Sequence, residues 1–264
     1  MYEFEYRQAK SVADAAALIA RTGGKPLAGG QSLIATMKLR LAQPGTLVDL
    51  SGITELRGIR REGDAVVIGA MMRHADIASS AEVTRTIPAL AALAEGIGDR
   101  QVRNMGTIGG SIANNDPAAD WPAALVALNA TVVTGKRRIA AGDFFRGMYE
   151  TALADDEIVT GISFPVPAKA AYAKFPSPAS RFALVGVFVA KLADGSVRVA
   201  VTGAAPAVFR ASGIEAALAQ SFTADAAKAV KVDASSLNTD LHASAAYRAH
   251  LTSVMASRAV AACG

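Results

Sequence analysis

Two glycine clusters are the residues of this sequence whose types and spacing point most directly to chemistry. The first is Ala28-Gly29-Gly30-Gln31-Ser32-Leu33, and the second is Gly106-Thr107-Ile108-Gly109-Gly110-Ser111, about eighty residues further along the chain. Glycine lets the backbone approach a ligand closely and adopt positive φ. Successive N–H groups can then converge on an anion, and each hydrogen bond to a charged group contributes roughly 1.5–3 kcal/mol. The clusters therefore predict a pyrophosphate site without lysine or metal; the alternative is two separate turns.

Other signatures of phosphate, metal or nucleophile chemistry are missing from the sequence. It contains neither G-x-G-x-x-G nor the P-loop pattern, and Ser111 lacks the G-x-S-x-G setting of a hydrolase nucleophile. The three histidines, His74, His242 and His250, have no metal-ligand spacing. The single cysteine, Cys263, is too few for an iron–sulfur cluster or a thiolate zinc site. We therefore expect no metal site and no catalytic residue for substrate chemistry.

Composition places the chain among ordinary globular proteins. Its 264 residues suggest about two domains, and 52% hydrophobic with 19% charged residues excludes a disordered chain. The net charge of +4 is spread along the sequence, so no nucleic-acid partner is expected. The N-terminus has no signal-peptide pattern, and no apolar run reaches the ~18 residues of a membrane span. These features predict a cytoplasmic protein without a membrane span.

The elements that must position the clusters can be predicted from local patterns. Ser11 and Asp14 have the spacing of a helix start, and Gly23-Gly24 ends that helix. A strand through Leu27 and Ala28 then leads into the first cluster. The glycine-rich stretch 99–117, which holds the second cluster, is predicted to be a loop, followed by a helix from Trp121 to Leu128.

Prolines mark the predicted domain boundary. Four of them, Pro165, Pro167, Pro176 and Pro178, fall within a short span and favour extended backbone. Two strands joined at Asp194-Gly195 follow, and the rest of the chain has a helical pattern. We predict an N-terminal domain over 1–170, with subdomains of about 1–55 and 56–170, and a C-terminal α/β domain over 171–264.

The two clusters and the residues around them resemble a known family. The stretches 26–33 and 37–40 resemble the first, and 104–111 and 113–120 the second, FAD-pyrophosphate loop of the molybdenum hydroxylase flavoproteins. These are the medium, FAD-binding subunits of the carbon monoxide dehydrogenase and xanthine dehydrogenase type. The resemblance implies an α+β fold, with a PCMH-type FAD-binding domain of two α/β subdomains. A smaller C-terminal domain of antiparallel strands followed by helices is implied after it.

The resemblance also implies which residues bind FAD. The amides of Ala28, Gly29, Gly30, Gln31, Ser32 and Leu33, and those of Thr107, Ile108, Gly109, Gly110 and Ser111, would cradle the pyrophosphate, with help from the Ser32 and Thr107 hydroxyls. Asn114 falls where the family contacts the adenosine or the flavin. Asp120 matches a carboxylate near the cofactor, and it is also a candidate N-cap for the helix at Trp121.

Two further residues are candidates for the flavin end of the site. His74 follows a predicted strand and is expected either to contact the flavin or to lie on the surface. Lys174 matches a position where the family often places a lysine beside the isoalloxazine ring. A solvated lysine after a strand is the alternative for Lys174.

The function that the resemblance implies is electron transfer within a heterotrimer. Substrate would be oxidised on a molybdenum-cofactor large subunit, and electrons would cross the [2Fe–2S] clusters of a small subunit to this FAD. The flavin would pass them to an external electron acceptor. Two other hypotheses stay open from the sequence. One is a self-sufficient FAD-dependent reductase on the same fold, similar to UDP-N-acetylenolpyruvoylglucosamine reductase; the other is a non-enzymatic scaffold whose glycine loops are turns.

Overall fold

The chain forms a mixed α/β structure with three principal sheets. The computed structural model describes residues 1–263, and Gly264, the last residue of the predicted C-terminal domain, lies outside the described residues. Among the described residues, no helix is long and apolar enough to cross a membrane. The predicted fold class is confirmed, with helices and strands mixed in the first two-thirds of the chain and antiparallel strands followed by helices in the last third.

A parallel three-stranded sheet with the order β1-β3-β2 forms the first part of the chain. Its elements are β1 (Glu5–Gln8), α1 (Val12–Thr22), β2 (Lys25–Leu27), α2 (Leu33–Lys38) and β3 (Thr46–Asp49). The Ser11 side chain accepts a hydrogen bond from the N–H of Asp14, and Gly23 ends α1 with φ of 61°. The helix start and end predicted from the sequence are therefore confirmed. The first glycine cluster leaves the carboxyl end of β2 and enters α2.

A five-stranded antiparallel sheet with the order β4-β5-β10-β6-β7 forms the middle of the chain. Its strands are β4 (Ile59–Glu62), β5 (Ala65–Gly69), β6 (Thr131–Thr134), β7 (Arg138–Ala140) and β10 (Val159–Pro165). A small hairpin of β8 (Phe145–Gly147) and β9 (Glu150–Thr151) lies beside it. The helices are α3 (His74–Ala78), α4 (Ala81–Thr86), α5 (Pro88–Glu95), α6 (Arg100–Met105), α7 (Ile108–Asn114), α8 (Trp121–Ala127) and α9 (Ala141–Phe144). The sequence analysis did not predict β10, although this strand pairs with both β5 and β6 at the centre of the sheet.

The stretch 99–117 was predicted to be a loop, but most of it is helical, so that prediction is wrong. Asp99 caps α6 by accepting from the N–H of Val102 at 2.8 Å, and Thr107 caps α7 by accepting from the N–H of Gly110 at 3.1 Å. Gly109 lies within α7, and this position requires glycine because a β-carbon there would come within 2.7 Å of the carbonyl oxygen of Ala70. The glycines that suggested a flexible loop thus allow a helix to pack closely on the strand end.

The C-terminal part is a four-stranded antiparallel sheet packed between helices. Its strands are β11 (Lys169–Pro176), β12 (Ala183–Lys191), β13 (Val197–Thr202) and β14 (Phe209–Arg210), followed by α10 (Ser212–Gln220), α11 (Ala224–Ala229) and α12 (Ala245–Ala262). The predicted hairpin at Asp194-Gly195 is confirmed, with φ of 84° at Gly195. Phe188 on β12 joins the core of the middle sheet, whereas Val187 and Val189 join the core under α12. The C-terminal sheet therefore buries both faces and holds β11 against the helices of the middle part.

Candidate cofactor site

The structure brings the two glycine clusters into direct contact. A β-carbon added to Gly29 would lie 2.0 Å from the carbonyl oxygen of Met105 and 2.8 Å from the Cα of Gly106. A β-carbon added to Gly110 would lie 3.4 Å from that of Ala28. The loop after β2 therefore rests on the junction of α6 and α7, and only glycine at position 29 fits this approach. This contact is what a pyrophosphate site shared by the two clusters requires.

The first cluster carries a run of unused backbone donors. Among residues 1–263 we find no acceptor for the N–H groups from Gly29 to Leu33, although the carbonyl oxygen of Gly30 accepts from Ile34. The Ser32 hydroxyl makes no capping bond to α2, and both Gln31 and Ser32 are exposed. Gly30 has φ of 71°, which turns the backbone sharply between the strand and the helix. Successive free amides on a turned, accessible backbone form an anion-binding surface.

The second cluster does not form the predicted amide cradle. The N–H of Ile108 donates to Met72 O at 3.1 Å, and the N–H of Gly109 donates to Ala70 O at 2.9 Å. The N–H groups of Gly110 and Ser111 donate to the side chain and backbone oxygens of Thr107. Within the described chain, this leaves the cluster with the Thr107 N–H and with the Thr107 and Ser111 hydroxyl protons as spare donors. These four amides are therefore not free for a second nest, because two of them dock α7 on the residues that follow β5 and two bond to Thr107 at the start of α7.

Two asparagines end α7: Asn114, a predicted site residue, and Asn115, which was not singled out from the sequence. Asn114 is half-buried, and its amide makes no side-chain hydrogen bond within the described residues. Asn115 is buried, has φ of 45°, and donates from Nδ2 to Gly147 O at 2.7 Å and to Glu150 O at 2.8 Å. Asparagine is a favoured residue for this left-handed helix end, which is the sequence signal that was available.

Asp120 forms a buried charge cluster rather than a helix cap. Its carboxylate accepts from the Tyr172 hydroxyl at 2.5 Å and from Lys174 Nζ at 3.0 Å, and it makes no capping bond to α8. Burial raises the pKa of Asp120, and the charge of Lys174 opposes that rise. Burial and the neighbouring carboxylate raise the pKa of Tyr172 well above its ordinary value. The N-cap interpretation of Asp120 is therefore wrong.

Lys174 belongs to β11 and connects Asp120 to the end of α5. Its side chain is 10% exposed, so the solvated alternative is wrong. Besides Asp120, its Nζ donates to Gly96 O at 3.1 Å. A groove of about 570 Å³ opens beside Lys174, between the turn at Gly96 and the loop that contains Arg181. Lys174 thus lines the open groove and pairs with Asp120, which is buried and does not line the groove.

Gly186 makes room for this cluster, and the sequence analysis did not identify it. It faces Lys174 across the β11–β12 pair, and a β-carbon at this position would come within 2.1 Å of the Tyr172 hydroxyl oxygen. Tyr172 and Lys174 are two residues apart on β11, so both project from the same face of the strand. A glycine inside a strand signals close approach by another group, but the sequence alone does not show which group.

His74 is buried and neutral, so the interpretation as a surface residue is wrong. The residue is 4% exposed, and its Nδ1 accepts from Trp121 Nε1 at 3.1 Å. Burial, assisted by the charge of Arg103, lowers the pKa of His74 from 6.5 to about 4. By contrast, His242 and His250 are exposed on the C-terminal part of the chain.

The shifted pKa of His74 predicts a stability loss in mild acid. Because the pKa is lower in the folded chain, the unfolded chain binds the proton first, and stability falls as the pH drops from about 6.5 to about 4. The shift corresponds to about 3 kcal/mol. We expect urea unfolding to show this loss in the parent chain and not in His74→Asn. The exposed His250→Asn variant is the control, and an equal acid loss in all three proteins would contradict the prediction.

Comparisons with known proteins agree with the fold. Residues 2–167 match the family described as the FAD binding domain in molybdopterin dehydrogenase, and residues 170–263 match the CO dehydrogenase flavoprotein C-terminal domain. The chain is 40% identical to the carbon monoxide dehydrogenase medium chain of Hydrogenophaga pseudoflava, over 97% of this chain and 96% of that protein. It is 37% identical to the nicotine 6-hydroxylase medium subunit of Paenarthrobacter nicotinovorans, over 98% and 96% of the two chains.

A solved structure shows the same architecture. The carbon monoxide dehydrogenase of Hydrogenophaga pseudoflava that lacks the Mo-pyranopterin moiety of its cofactor superposes with a TM-score of 0.88 at 39% identity. The superposition covers 99% of this chain and 97% of that one. Because both domain families and these relatives span nearly the whole sequence, the chain is an oxidoreductase subunit with FAD as its cofactor, and it belongs to the FAD-binding medium subunits of the molybdenum hydroxylases.

Proposed function

We propose that this chain holds FAD between its two glycine clusters and passes electrons from the [2Fe–2S] clusters of a partner subunit to an external acceptor. The observation that carries the proposal is the run of free amides from Gly29 to Leu33 on a loop that packs against the second cluster. FAD supplies the redox chemistry, and the chain binds and orients it. The proposal keeps the cytoplasmic location expected from the sequence.

The proposed contacts follow the donors that the structure leaves open. Ala28, Gly29, Gly30, Gln31, Ser32 and Leu33 would bind the pyrophosphate through backbone N–H groups and the Ser32 hydroxyl. Thr107 and Ser111 would add hydroxyl donors, Asn114 an amide, and Ile108, Gly109 and Gly110 the backbone wall against which the first cluster rests. Lys174, which lines the open groove, and its buried partner Asp120 would lie at the flavin end.

In the proposed complex, the iron–sulfur clusters and the substrate site belong to other chains, which explains why this sequence lacks residues for them. A [2Fe–2S] cluster needs four protein ligands, commonly cysteine thiolates, and this chain has one cysteine. The relatives named for carbon monoxide and for nicotine share this kind of chain, which supports a substrate site on a molybdenum-cofactor large subunit. Large apolar side chains near the proposed site also stay open to solvent, among them Leu39, Leu41 and Met105 at 71%, 77% and 52% exposure. Exposed apolar side chains of this kind fit a surface that partner chains cover.

The test is a visible absorption spectrum of the tagged chain purified from its native host without denaturation. We expect flavin bands over broad iron–sulfur absorption, together with two co-purifying chains. Flavin bands on a single chain would instead support the self-sufficient reductase. A colourless protein that added FAD does not restore would overturn the FAD site itself.

A further inference from the structure

A histidine nitrogen at the meeting point of the two glycine clusters has no hydrogen-bond partner among residues 1–263. The backbone N–H of His74 donates to Gly106 O at 3.0 Å, which fixes the start of α3 against the α6–α7 junction. A β-carbon on Gly106 would lie 2.9 Å from both Cδ2 and Nε2 of the imidazole. The imidazole therefore occupies the space next to Gly106 that a side chain would need, one residue from the Met105 carbonyl that Gly29 touches.

The bond from Trp121 determines which imidazole nitrogen carries the proton. An indole Nε1–H can only donate, so Nδ1 of His74 must present a lone pair to it. A neutral imidazole then has its proton on Nε2. Because burial and the charge of Arg103 lower the pKa of His74 to about 4, this neutral form holds at neutral pH. Nε2–H is thus a fixed hydrogen-bond donor.

This donor belongs to a buried residue, but the protein does not enclose it completely. Within residues 1–263, Nε of Arg248 is the fully buried side-chain nitrogen or oxygen that lacks a partner. Nε2 of His74 also has no hydrogen bond within the described residues, but it is not fully buried, so the small exposed fraction of His74 includes this nitrogen. A fixed donor that opens beside an anion-binding loop is suited to an oxygen acceptor from a ligand.

We propose that His74 Nε2–H donates a hydrogen bond to an oxygen of bound FAD, in its pyrophosphate–ribityl part, and that Trp121 keeps His74 in the tautomer that can do so. The inference rests on the proposed FAD function and names the atom through which His74 acts. His74 is then a cofactor-binding residue. Trp121 is a positioning residue, which acts on the cofactor only by orienting His74.

Nitrogen NMR of the full chain labelled with ¹⁵N-histidine tests the tautomer and the contact together. The chain has three histidines, and His242 and His250 are exposed, so the buried one is readily distinguished. At neutral pH we expect His74 with a protonated Nε2 and an unprotonated Nδ1. Added FAD is expected to shift the Nε2 signal of His74 and to leave the other two histidines unchanged. In Trp121→Phe we expect a mixture of the two tautomers, because the bond that selects one of them is gone.

Two variants of His74 separate the effect of losing the Nε2–H donor from the effect of changing the packing of the side chain. His74→Asn keeps an acceptor near the position of Nδ1 for Trp121 and removes the Nε2 donor, so FAD affinity is expected to fall about 10-fold. His74→Gln places an amide N–H near the position of Nε2 and is expected to restore affinity to within about 3-fold of the parent. The exposed His250→Asn variant is the control for changing a histidine.

The outcomes distinguish this inference from the proposed function. FAD that binds the parent chain, or the complex that co-purifies with it, without moving the Nε2 signal and with equal affinity for His74→Asn would overturn the role of His74 alone. That result would mean that water satisfies Nε2. A protonated Nδ1 at neutral pH would overturn the tautomer assignment. A parent protein that binds no FAD in either form would overturn the proposed function, and this inference with it.

Discussion

Replacing Gly29 by alanine is expected to lower the free energy of unfolding by about 3 kcal/mol and FAD affinity by about 100-fold. The added β-carbon would lie 2.0 Å from the carbonyl oxygen of Met105, which is backbone and cannot rotate away. The loop after β2 must therefore move off the α6–α7 junction. The N–H groups from Gly29 to Leu33 move with it, and losing two or so hydrogen bonds to a charged group accounts for the loss of affinity.

Gly45→Ala is the matched control for this prediction. It lies in the same part of the chain, before β3, and nothing lies within 4 Å of an added β-carbon. We expect its unfolding free energy to stay within about 0.5 kcal/mol of the parent and its FAD affinity to be unchanged. Denaturant unfolding and FAD titration measure the two quantities. Parent-like stability and affinity in Gly29→Ala would show that the clusters do not need to touch.

An element of the fold could be predicted from the sequence where the residues that determine it are close together in the chain. The start and end of α1 could be predicted because Ser11, Asp14 and Gly23 act within a few residues of the helix. The helices α6 and α7 could not be predicted, because Gly106, Gly109 and Gly110 make this stretch resemble a loop in its local composition. The reason for glycine at position 109 is contact with Ala70, which lies on a strand end far away in sequence.

The candidate site divides in the same way. Two glycine clusters of similar composition suggested one pyrophosphate site, and the contact between the clusters is what such a site requires. The pairing of Asp120 with Tyr172 and Lys174 joins residues 52 and 54 positions apart and depends on how β11 docks on the middle part of the chain. Asp120 before a Trp-Pro pair has a strong local signal for a helix cap, and the tertiary contact overrode that signal.

Lys174→Met is expected to destabilise the chain by about 3–5 kcal/mol, because it leaves the Asp120 carboxylate buried without its counter-charge. Burial already raises the pKa of Asp120 in the parent chain, and removing the lysine raises it further. A carboxyl group whose pKa is raised by folding destabilises the folded chain least at pH values where it is protonated. The deficit of Lys174→Met is therefore expected to shrink as the pH is lowered from about 8 to about 5.

A double-mutant cycle tests whether the two charges act as a pair. Asp120→Asn in the Lys174→Met background removes the stranded charge, so the double variant is expected to be more stable than Lys174→Met by at least about 1 kcal/mol, although Asp120→Asn alone destabilises the parent. The exposed Lys228→Met on α11 controls for the loss of a lysine. Denaturant unfolding at both pH values gives the four free energies of the cycle. Additive losses would mean that Lys174 does not compensate the charge of Asp120. Coupling would instead show that β11 and the start of α8 are joined through this ion pair, and with them the predicted C-terminal domain and the proposed flavin end of the site.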